Sequence, residues 1–249
     1  MPNVLVLGGT TEASALVAVL AQRSIRTTLS YAGRVEHPKA QPVPIRIGGF
    51  GGADGLAHYL RDNEVTHLVD ATHPFAATIS TNAVIAAGKA RIAHIALTRP
   101  PWRPVAGDRW QAVGNVDAAV GVLAGPSRRV MLALGRMHVD AFATQPQHHY
   151  LLRFVDASGN TPLLPHHSLV VERGPFTADG DTRLMQTHAI DIVICKNAGG
   201  HGAEAKLIAA RRLGLPVIII DRPVLPPRLE TNDVEEVVRW LNHDAHRGV

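Results

Sequence analysis

The stretch Val4-Leu5-Val6-Leu7-Gly8-Gly9-Thr10-Thr11-Glu12 runs from an apolar strand into a glycine turn and then into a helix. Glycines at such a turn let the backbone approach a pyrophosphate, and the helix N-terminus supplies positive potential. The Thr10 and Thr11 side chains can cap the helix or donate hydrogen bonds to a phosphate, and Glu12 complements the helix dipole. We therefore predict that the turn binds the pyrophosphate of a dinucleotide cofactor. The alternative is a tight turn without a ligand, because the full G-x-G-x-x-G spacing is missing.

The second predicted strand ends in Leu29-Ser30-Tyr31-Ala32-Gly33-Arg34, which decides the expected form of the cofactor. NAD-specific sites usually place an aspartate or glutamate here to bind both ribose hydroxyls, and this stretch has neither. The Ser30 hydroxyl and the Arg34 guanidinium are instead groups that bind a 2′-phosphate. We therefore predict NADPH, with Ser30 and Arg34 at its 2′-phosphate. The alternative for Arg34 is a solvated position on a surface loop.

The rest of the chain alternates short apolar runs with longer amphipathic stretches, a pattern typical of parallel strands covered on both faces by helices. The sequence therefore predicts an α/β fold with mostly parallel sheets. The segment Thr98-Arg99-Pro100-Pro101-Trp102-Arg103-Pro104 holds three prolines and cannot sustain a helix or a central strand. We place the domain boundary there, which gives an N-terminal domain of residues 1–98 and a C-terminal domain of residues 99–249.

The composition favours a globular protein that binds small anionic ligands. The 249 residues carry a net charge of +4 with histidine counted neutral, and 14 histidines add sites for further positive charge. The basic residues are scattered and the aromatic content is 4%, too low for the stacking platforms of nucleic-acid-binding proteins. No apolar run reaches the roughly 20 residues of a membrane-spanning helix, and no signal peptide precedes the first strand, so we expect a cytoplasmic protein.

Cysteine and histidine spacing argues against disulfides and metals. The single cysteine, Cys195, lies in an apolar run, so no internal disulfide can form and a buried hydrophobic role is expected. The chain has no H-E-x-x-H motif and no paired cysteines. The sequence therefore predicts no metal site.

A first group of polar residues, Asp70-Ala71-Thr72-His73, follows a predicted strand at the edge where ligands bind in open α/β sheets. His73 is a candidate for orienting the cofactor or for acting as a catalytic acid. The alternatives are a structural histidine and a helix N-cap at Asp70.

A second group is Lys196-Asn197-Ala198-Gly199-Gly200 together with Lys206, a glycine-bearing loop suited to an anion. The loop lacks the G-K-[ST] ending of a P-loop, which disfavours ATP hydrolysis. The alternative is a turn with solvated lysines. Arg173 and Arg222 also follow predicted strands, and they are candidates for the same crevice or for structural ion pairs.

In their order and spacing, these motifs resemble the precorrin-6A reductase family of cobalamin biosynthesis along nearly the whole chain. The stretches that carry the resemblance are Gly8-Gly9-Thr10-Thr11-Glu12, Asp70-Ala71-Thr72-His73-Pro74-Phe75-Ala76, Thr98-Arg99-Pro100, Glu172-Arg173-Gly174-Pro175-Phe176, Lys196-Asn197-Ala198-Gly199-Gly200 and the strand from Pro216 to Arg222. Residues 141–167 contain no matching motif.

The resemblance implies two Rossmann-like domains with NADPH in the cleft between them, and reduction of a ring-D double bond of precorrin-6A to give precorrin-6B. A cobalt-containing counterpart is reduced in the anaerobic branch, and the sequence does not separate the two branches. A tetrapyrrole with many acetate and propionate groups suits a cleft lined by basic residues. We expect a monomer or a weak homodimer.

The resemblance also suggests roles for particular residues. Residues 70–73 would lie on the nicotinamide side of the cofactor, and His73 and Lys196 would be catalytic. The remaining proposed cofactor ligands are Lys196, Asn197, Gly199 and Gly200. The proposed substrate ligands are Arg99, Arg173, Lys206 and Arg222.

Two other functions remain open. A two-domain transferase that acts on a nucleotide sugar would also use anion-binding turns in facing sheets. A non-catalytic sensor of NADPH would bind a protein with its second domain.

Overall fold

The computed structural model describes residues 1–32, 40–154, 162–172 and 174–245. The chain divides into two units: unit 1 combines Met1–Pro100 with Val224–Val249, and unit 2 is Pro101–Pro223. Within the described residues each unit contains one six-stranded parallel sheet, here called sheet 1 and sheet 2. The predicted α/β class is therefore confirmed.

The strands and helices of the described residues are, in chain order, β1 (Asn3–Leu7), α1 (Thr11–Gln22), β2 (Arg26–Tyr31), β3 (Ile45–Ile47), α2 (Gly52–Asp62), β4 (His67–Asp70), α3 (Ala77–Ala90), β5 (Ala93–Leu97), β6 (Arg109–Val113), α4 (Val116–Val122), β7 (Arg129–Ala133), β8 (His149–Phe154), β9 (His167–Val171), α5 (Ala178–Thr187), β10 (Ile192–Lys196), α6 (Ala205–Arg212), β11 (Pro216–Ile220), β12 (Glu230–Thr231) and α7 (Val234–Ala245). Short 3₁₀ turns lie at Arg136–His138, Asp140–Thr144 and His201–Ala203.

Strand β1 lies at the centre of unit 1 and is buried on both faces. Val4 and Val6 belong to the core that includes α1 and α7, whereas Leu5 and Leu7 belong to the core that includes α2 and α3. Side chains of a strand alternate between the two faces of a sheet, so a continuous apolar strand needs helices on both sides. This requirement explains why the run Val4–Leu7 specifies a doubly covered parallel sheet.

The two sheets share one arrangement of strands. Sheet 1 has the order β12-β5-β4-β1-β2-β3, and sheet 2 has the order β6-β11-β10-β7-β8-β9. In sheet 1 the chain moves from β1 towards one edge and from β4 towards the other, which makes a topological switch point between them. In sheet 2 the corresponding switch point lies between β7 and β10. Loops that leave the carboxyl ends of these four strands therefore border the crevices where ligands bind in such sheets.

The C-terminal segment departs from the predicted division into residues 1–98 and 99–249. Strand β12 pairs in parallel with β5 of sheet 1, although it follows all of unit 2 in the chain. Helix α7 then contributes Val237, Val238 and Leu241 to the core beneath sheet 1. A strand of two residues is too short to give a periodic apolar pattern, so the sequence offered no sign of the return.

A buried ion pair joins this returning segment to the centre of unit 1. Arg228 Nη1 lies 2.6 Å from Asp70 Oδ2, and the two side chains are 6% and 2% exposed. Arg228 Nε also lies 2.8 Å from Glu230 Oε1. Because Asp70 ends β4, the pair fixes the C-terminal segment beside the switch point of sheet 1.

Arg228→Met is expected to lower the free energy of unfolding by about 3–5 kcal/mol, because the Asp70 carboxylate would stay buried without its charge partner. Arg239→Met is the matched control: its pair with Asp233 is exposed, and its loss should cost less than about 1 kcal/mol. Urea unfolding of both purified variants measures the difference. Equal effects would contradict a structural role for Arg228.

Candidate functional site

The residues predicted to bind the cofactor in unit 1 meet at the switch point of sheet 1. Strand β1 pairs with β4, with Leu7 opposite Asp70. Residues 8–10 follow β1 and residues 71–73 follow β4. The structure therefore brings the predicted pyrophosphate turn and the predicted nicotinamide-side loop to the same edge of the sheet.

Two glycines shape the turn after β1. Gly8 donates from its amide to the Ser30 carbonyl at 2.9 Å, and a Cβ added at Gly8 would lie 2.5 Å from the Leu29 side chain. Gly9 has φ +118°, a conformation that residues with a side chain rarely adopt. A Cβ added at Gly9 would meet nothing within 4 Å, so the space beside the turn is open.

Thr10 links the two loops of the switch point. Its hydroxyl accepts a hydrogen bond from the Ala13 amide at 3.1 Å and donates one to the Ala71 carbonyl at 2.7 Å. Thr10 is thus the N-cap of α1, as the sequence predicted. It also fixes the distance between the glycine turn and the loop after β4.

The turn fits a pyrophosphate. The amides of Thr11 and Glu12 have no hydrogen-bond acceptor among the described residues, as expected in the first turn of a helix. These amides and the dipole of α1 provide partial positive charge next to the open space at Gly9. Backbone amides together with a glycine that leaves room for a ligand are the donor set that a pyrophosphate requires.

Arg99 lies beside this turn. Its Nε is 3.6 Å from Glu12 Oε1, and the two side chains are 15% and 26% exposed. The Thr11 hydroxyl donates to Glu12 Oε2 at 3.1 Å. A carboxylate at the N-terminus of α1 would repel an anion, and Arg99 offsets that negative charge.

Asp70 uses both carboxylate oxygens in contacts within unit 1. Oδ1 accepts from the Thr72 amide at 3.1 Å and from the Thr72 hydroxyl at 2.6 Å, and Oδ2 faces Arg228. The carboxylate therefore orders the loop after β4. His73 is exposed, and its Nδ1 accepts from the Phe75 amide at 3.2 Å. The sequence did not identify Arg228, which belongs to none of the motifs.

The predicted 2′-phosphate site is described in part. Ser30 is buried at 4% exposure, and its Oγ lies 3.5 Å from Nη1 of Arg46. Arg34 lies outside the described residues. Sequence reasoning did not select Arg46, because it lies in a short strand without a recognisable motif.

In unit 2, Lys196 lies at the switch point of sheet 2. It ends β10, and its Nζ is 2.7 Å from Nε2 of His138 in the turn that follows β7. A hydrogen bond at this distance requires that one of the two nitrogens carries the shared proton. Lys196 and His138 thus form a proton-bearing pair, of which the sequence identified only the lysine.

The loop after Lys196 holds Trp102 in place. Asn197 accepts from the Trp102 amide at 2.8 Å and donates to its carbonyl at 3.1 Å, and the indole of Trp102 donates to the Gly200 carbonyl at 2.8 Å. Gly199 and Gly200 have φ +72° and +73°, which explains the two glycines.

Two of the proposed substrate ligands also contact this loop. Lys206 is 6% exposed, with Nζ 4.8 Å from the centre of the Trp102 ring, and donates to the Ala203 carbonyl. Arg222 donates to the carbonyls of residues 197 and 198 at 3.0 and 3.1 Å. Both therefore have structural contacts in unit 2, and Arg173 lies outside the described residues.

Among the described residues no group of three or more histidine, cysteine or acidic side chains could hold a metal ion. Within the same ranges no helix has the length and apolar character to cross a membrane. Cys195 is fully buried, and burial raises the pKa of its thiol.

Residues 3–242 match the protein family described as Precorrin-6x reductase CbiJ/CobK. The chain belongs to the precorrin-6x reductase family. It is 53% identical to a precorrin-6A reductase of Rhodobacter capsulatus, with all of both chains covered. A solved structure of CobK precorrin-6A reductase superposes with a TM-score of 0.91 at 52% identity, over 98% of this chain and 97% of that one.

A more distant relative is a cobalt-precorrin-6A reductase of Priestia megaterium, 27% identical over 96% of this chain and 97% of the relative. Membership of the precorrin-6x reductase family makes the chain an oxidoreductase and implies a reduced nicotinamide cofactor.

Gly9→Ala is expected to raise the dissociation constant of NADPH at least about 10-fold, because alanine is strained at φ +118° and its methyl group enters the open space. Gly88→Ala is the matched control. Gly88 lies inside α3 with open space around it, so this variant should bind NADPH as the wild type does. Fluorescence titration compares the two, and unchanged binding by Gly9→Ala would remove the turn from the cofactor site.

Proposed function

We propose that this chain reduces a double bond in ring D of precorrin-6A with NADPH, giving precorrin-6B in cobalamin biosynthesis. The observation that carries the proposal is the open glycine turn capped by Thr10, in a chain of the precorrin-6x reductase family. Identity of 53% to a precorrin-6A reductase, against 27% to a cobalt-precorrin-6A reductase, favours the cobalt-free substrate.

NADPH would be held along the carboxyl edge of sheet 1. Gly8, Gly9 and the amides of Thr11 and Glu12 would receive the pyrophosphate, and residues 71–73 would border the nicotinamide. The end of β2 offers Ser30 and no carboxylate through Ala32, which supports NADPH over NADH. Arg34 stays a proposed ligand of the 2′-phosphate.

The substrate would be recognised through its carboxylates. Arg99, Arg173, Lys206 and Arg222 stay proposed substrate ligands. Of these four residues, Arg99 lies directly beside the glycine turn. Its side chain is 15% exposed, so part of the guanidinium is accessible. A guanidinium whose ion pair with Glu12 is 3.6 Å long can add a carboxylate ligand at modest cost.

The reaction needs a positioned proton in addition to the reductant. Bound NADPH supplies a hydride to one carbon of the reduced bond, and the neighbouring carbon takes a proton. Lys196 and His73 are the proposed catalytic residues. Lys196 is the stronger candidate, since its Nζ shares a proton with His138 Nε2 at 2.7 Å.

The assembly and location of the protein are proposed on the same basis. A biosynthetic reductase of this size would act as a monomer, or a weak homodimer, in the cytoplasm. Light scattering across a range of protein concentrations would detect self-association.

The expected activity is oxidation of one NADPH for each precorrin-6A reduced, because the reaction transfers one hydride. Absorbance of NADPH and mass analysis of the product measure both sides. Gly88→Ala should retain the full rate and serves as the control protein. Binding of a nucleotide sugar in place of NADPH would favour the transferase, and binding of NADPH without oxidation in the presence of precorrin-6A would favour the sensor.

Lys196→Met is expected to lower kcat by about 100-fold or more, because the methionine side chain cannot carry a proton to the macrocycle. The dissociation constant of NADPH should change much less than kcat. Lys89→Met is the matched control, since Lys89 forms an exposed pair with Asp54 and its loss should leave kcat unchanged. Steady-state kinetics at saturating NADPH would decide the matter: a wild-type kcat in Lys196→Met would exclude this residue as the proton donor.

A further inference from the structure

Arg46 is the middle residue of β3, one position before the carboxyl end of the strand. In the parallel pairing of β2 with β3, Ser30 lies opposite Arg46. The guanidinium donates to the Gly48 carbonyl at 2.5 Å and to the Gly49 carbonyl at 2.8 Å, and its carbon lies 3.8 Å from the centre of the Phe50 ring. These contacts fix the plane of the guanidinium, since hydrogen bonds and ring stacking constrain it together.

The charge of Arg46 is not balanced by a carboxylate. No aspartate or glutamate among the described residues lies within ion-pair distance of its guanidinium. The other arginines of unit 1 that are largely buried do have such partners: Arg99 pairs with Glu12, and Arg228 pairs with Asp70. Carbonyl and hydroxyl oxygens and the aromatic rings of Phe50 and Tyr59 leave the net positive charge in place, so this half-buried guanidinium favours an anion as a further ligand.

Arg46 also lies in line with the pyrophosphate turn. Leu7 pairs with Ser30, and Ser30 pairs with Arg46, so the three residues form one row across β1, β2 and β3. Two strand spacings separate the ends of the row by about 10 Å. The row begins directly before Gly8, where the pyrophosphate would bind, and crosses the end of β2, where a 2′-phosphate is expected in this fold.

The loop beside Arg46 leaves room for a ligand. Gly48, Gly49, Gly51 and Gly52 follow β3, and a Cβ added at any of them would meet nothing within 4 Å. The first, third and fourth have positive φ, which explains why glycine stands there. Arg46 fixes this loop through the carbonyls of its first two glycines, and Phe50 of the loop packs against one face of the guanidinium.

We propose that Arg46 binds the 2′-phosphate of NADPH and that the buried Ser30 hydroxyl orients its guanidinium. The inference rests on the proposed function, because it assumes that the pyrophosphate lies at the turn after β1. It adds a basic residue that the sequence motifs did not indicate, and it makes Arg46 a determinant of selectivity between NADPH and NADH.

The test compares equilibrium binding of NADPH and NADH to the full-length chain by fluorescence titration and calorimetry, without turnover. Arg46→Met should weaken NADPH binding about 10- to 100-fold and NADH binding less than about 3-fold, since the two differ only in the 2′-phosphate. Arg46→Lys keeps a cation and should retain most of the preference for NADPH. Arg61→Met removes an exposed arginine of α2 and should change neither constant.

Three results would overturn the inference while leaving the proposed function intact. Equal losses for NADPH and NADH in Arg46→Met would mean that Arg46 only holds the glycine loop. Unchanged selectivity in Arg46→Met, with selectivity lost in Arg34→Met, would place the phosphate at Arg34 alone. If Arg46→Met does not fold, a folded Arg46→Lys that weakens NADPH and NADH equally would show that residue 46 does not act on the 2′-phosphate. A wild-type protein that binds neither nucleotide would instead refute the proposed function itself.

Discussion

The Thr10 hydroxyl joins the two loops at the switch point of sheet 1. Strands β1 and β4 are neighbours and the chain leaves them towards opposite edges, and the gap above their carboxyl ends is bridged by the Ala71 amide, which donates to the Leu7 carbonyl at 2.9 Å, and by the Thr10 side chain. By donating to Ala71 and accepting from Ala13, Thr10 sets the width of that gap and orients the first turn of α1. The glycine turn and the loop after β4 can serve one ligand because this spacing is fixed.

Five neighbouring strands of unit 2 repeat the strand order of unit 1, and the edge strand beside β11 is β6, the first strand of its unit, where unit 1 has β12, the last. The switch point of unit 2 offers a different chemistry. After β7 the chain enters a 3₁₀ turn at Arg136–His138, where unit 1 begins the twelve-residue helix α1. A turn of three residues has no row of aligned amides and a negligible dipole. The polar groups placed there are side chains, among them His138 and Lys196. Backbone donors suit a pyrophosphate, whereas side-chain cations suit scattered carboxylates and proton transfer.

The sequence indicated the candidate-site residues that follow long apolar strands, but not those that reach the candidate site from elsewhere. The turn at Gly8 and Thr10 was predictable because glycine and threonine have local reasons to stand between a strand and a helix. Arg46, His138 and Arg228 have no such local reason. Each is significant only through a partner distant in sequence or placed by pairing between strands, and a single sequence does not contain that pairing. For Asp70 the strand end was correct, but the partner that occupies its carboxylate was not predictable.

The return of the chain to unit 1 has a consequence for biosynthesis. Strand β12 and helix α7 complete sheet 1 and its apolar core, yet they are translated after the whole of unit 2. During synthesis the outer side of β5 therefore stays without its neighbour, and the buried surface of α1 without α7, until residue 241 has left the ribosome. Domains usually form in the order in which they emerge. Here all strands of unit 2 are synthesised before β12 and α7. Unit 1, which contains the amino terminus, is therefore the last of the two units to be completed.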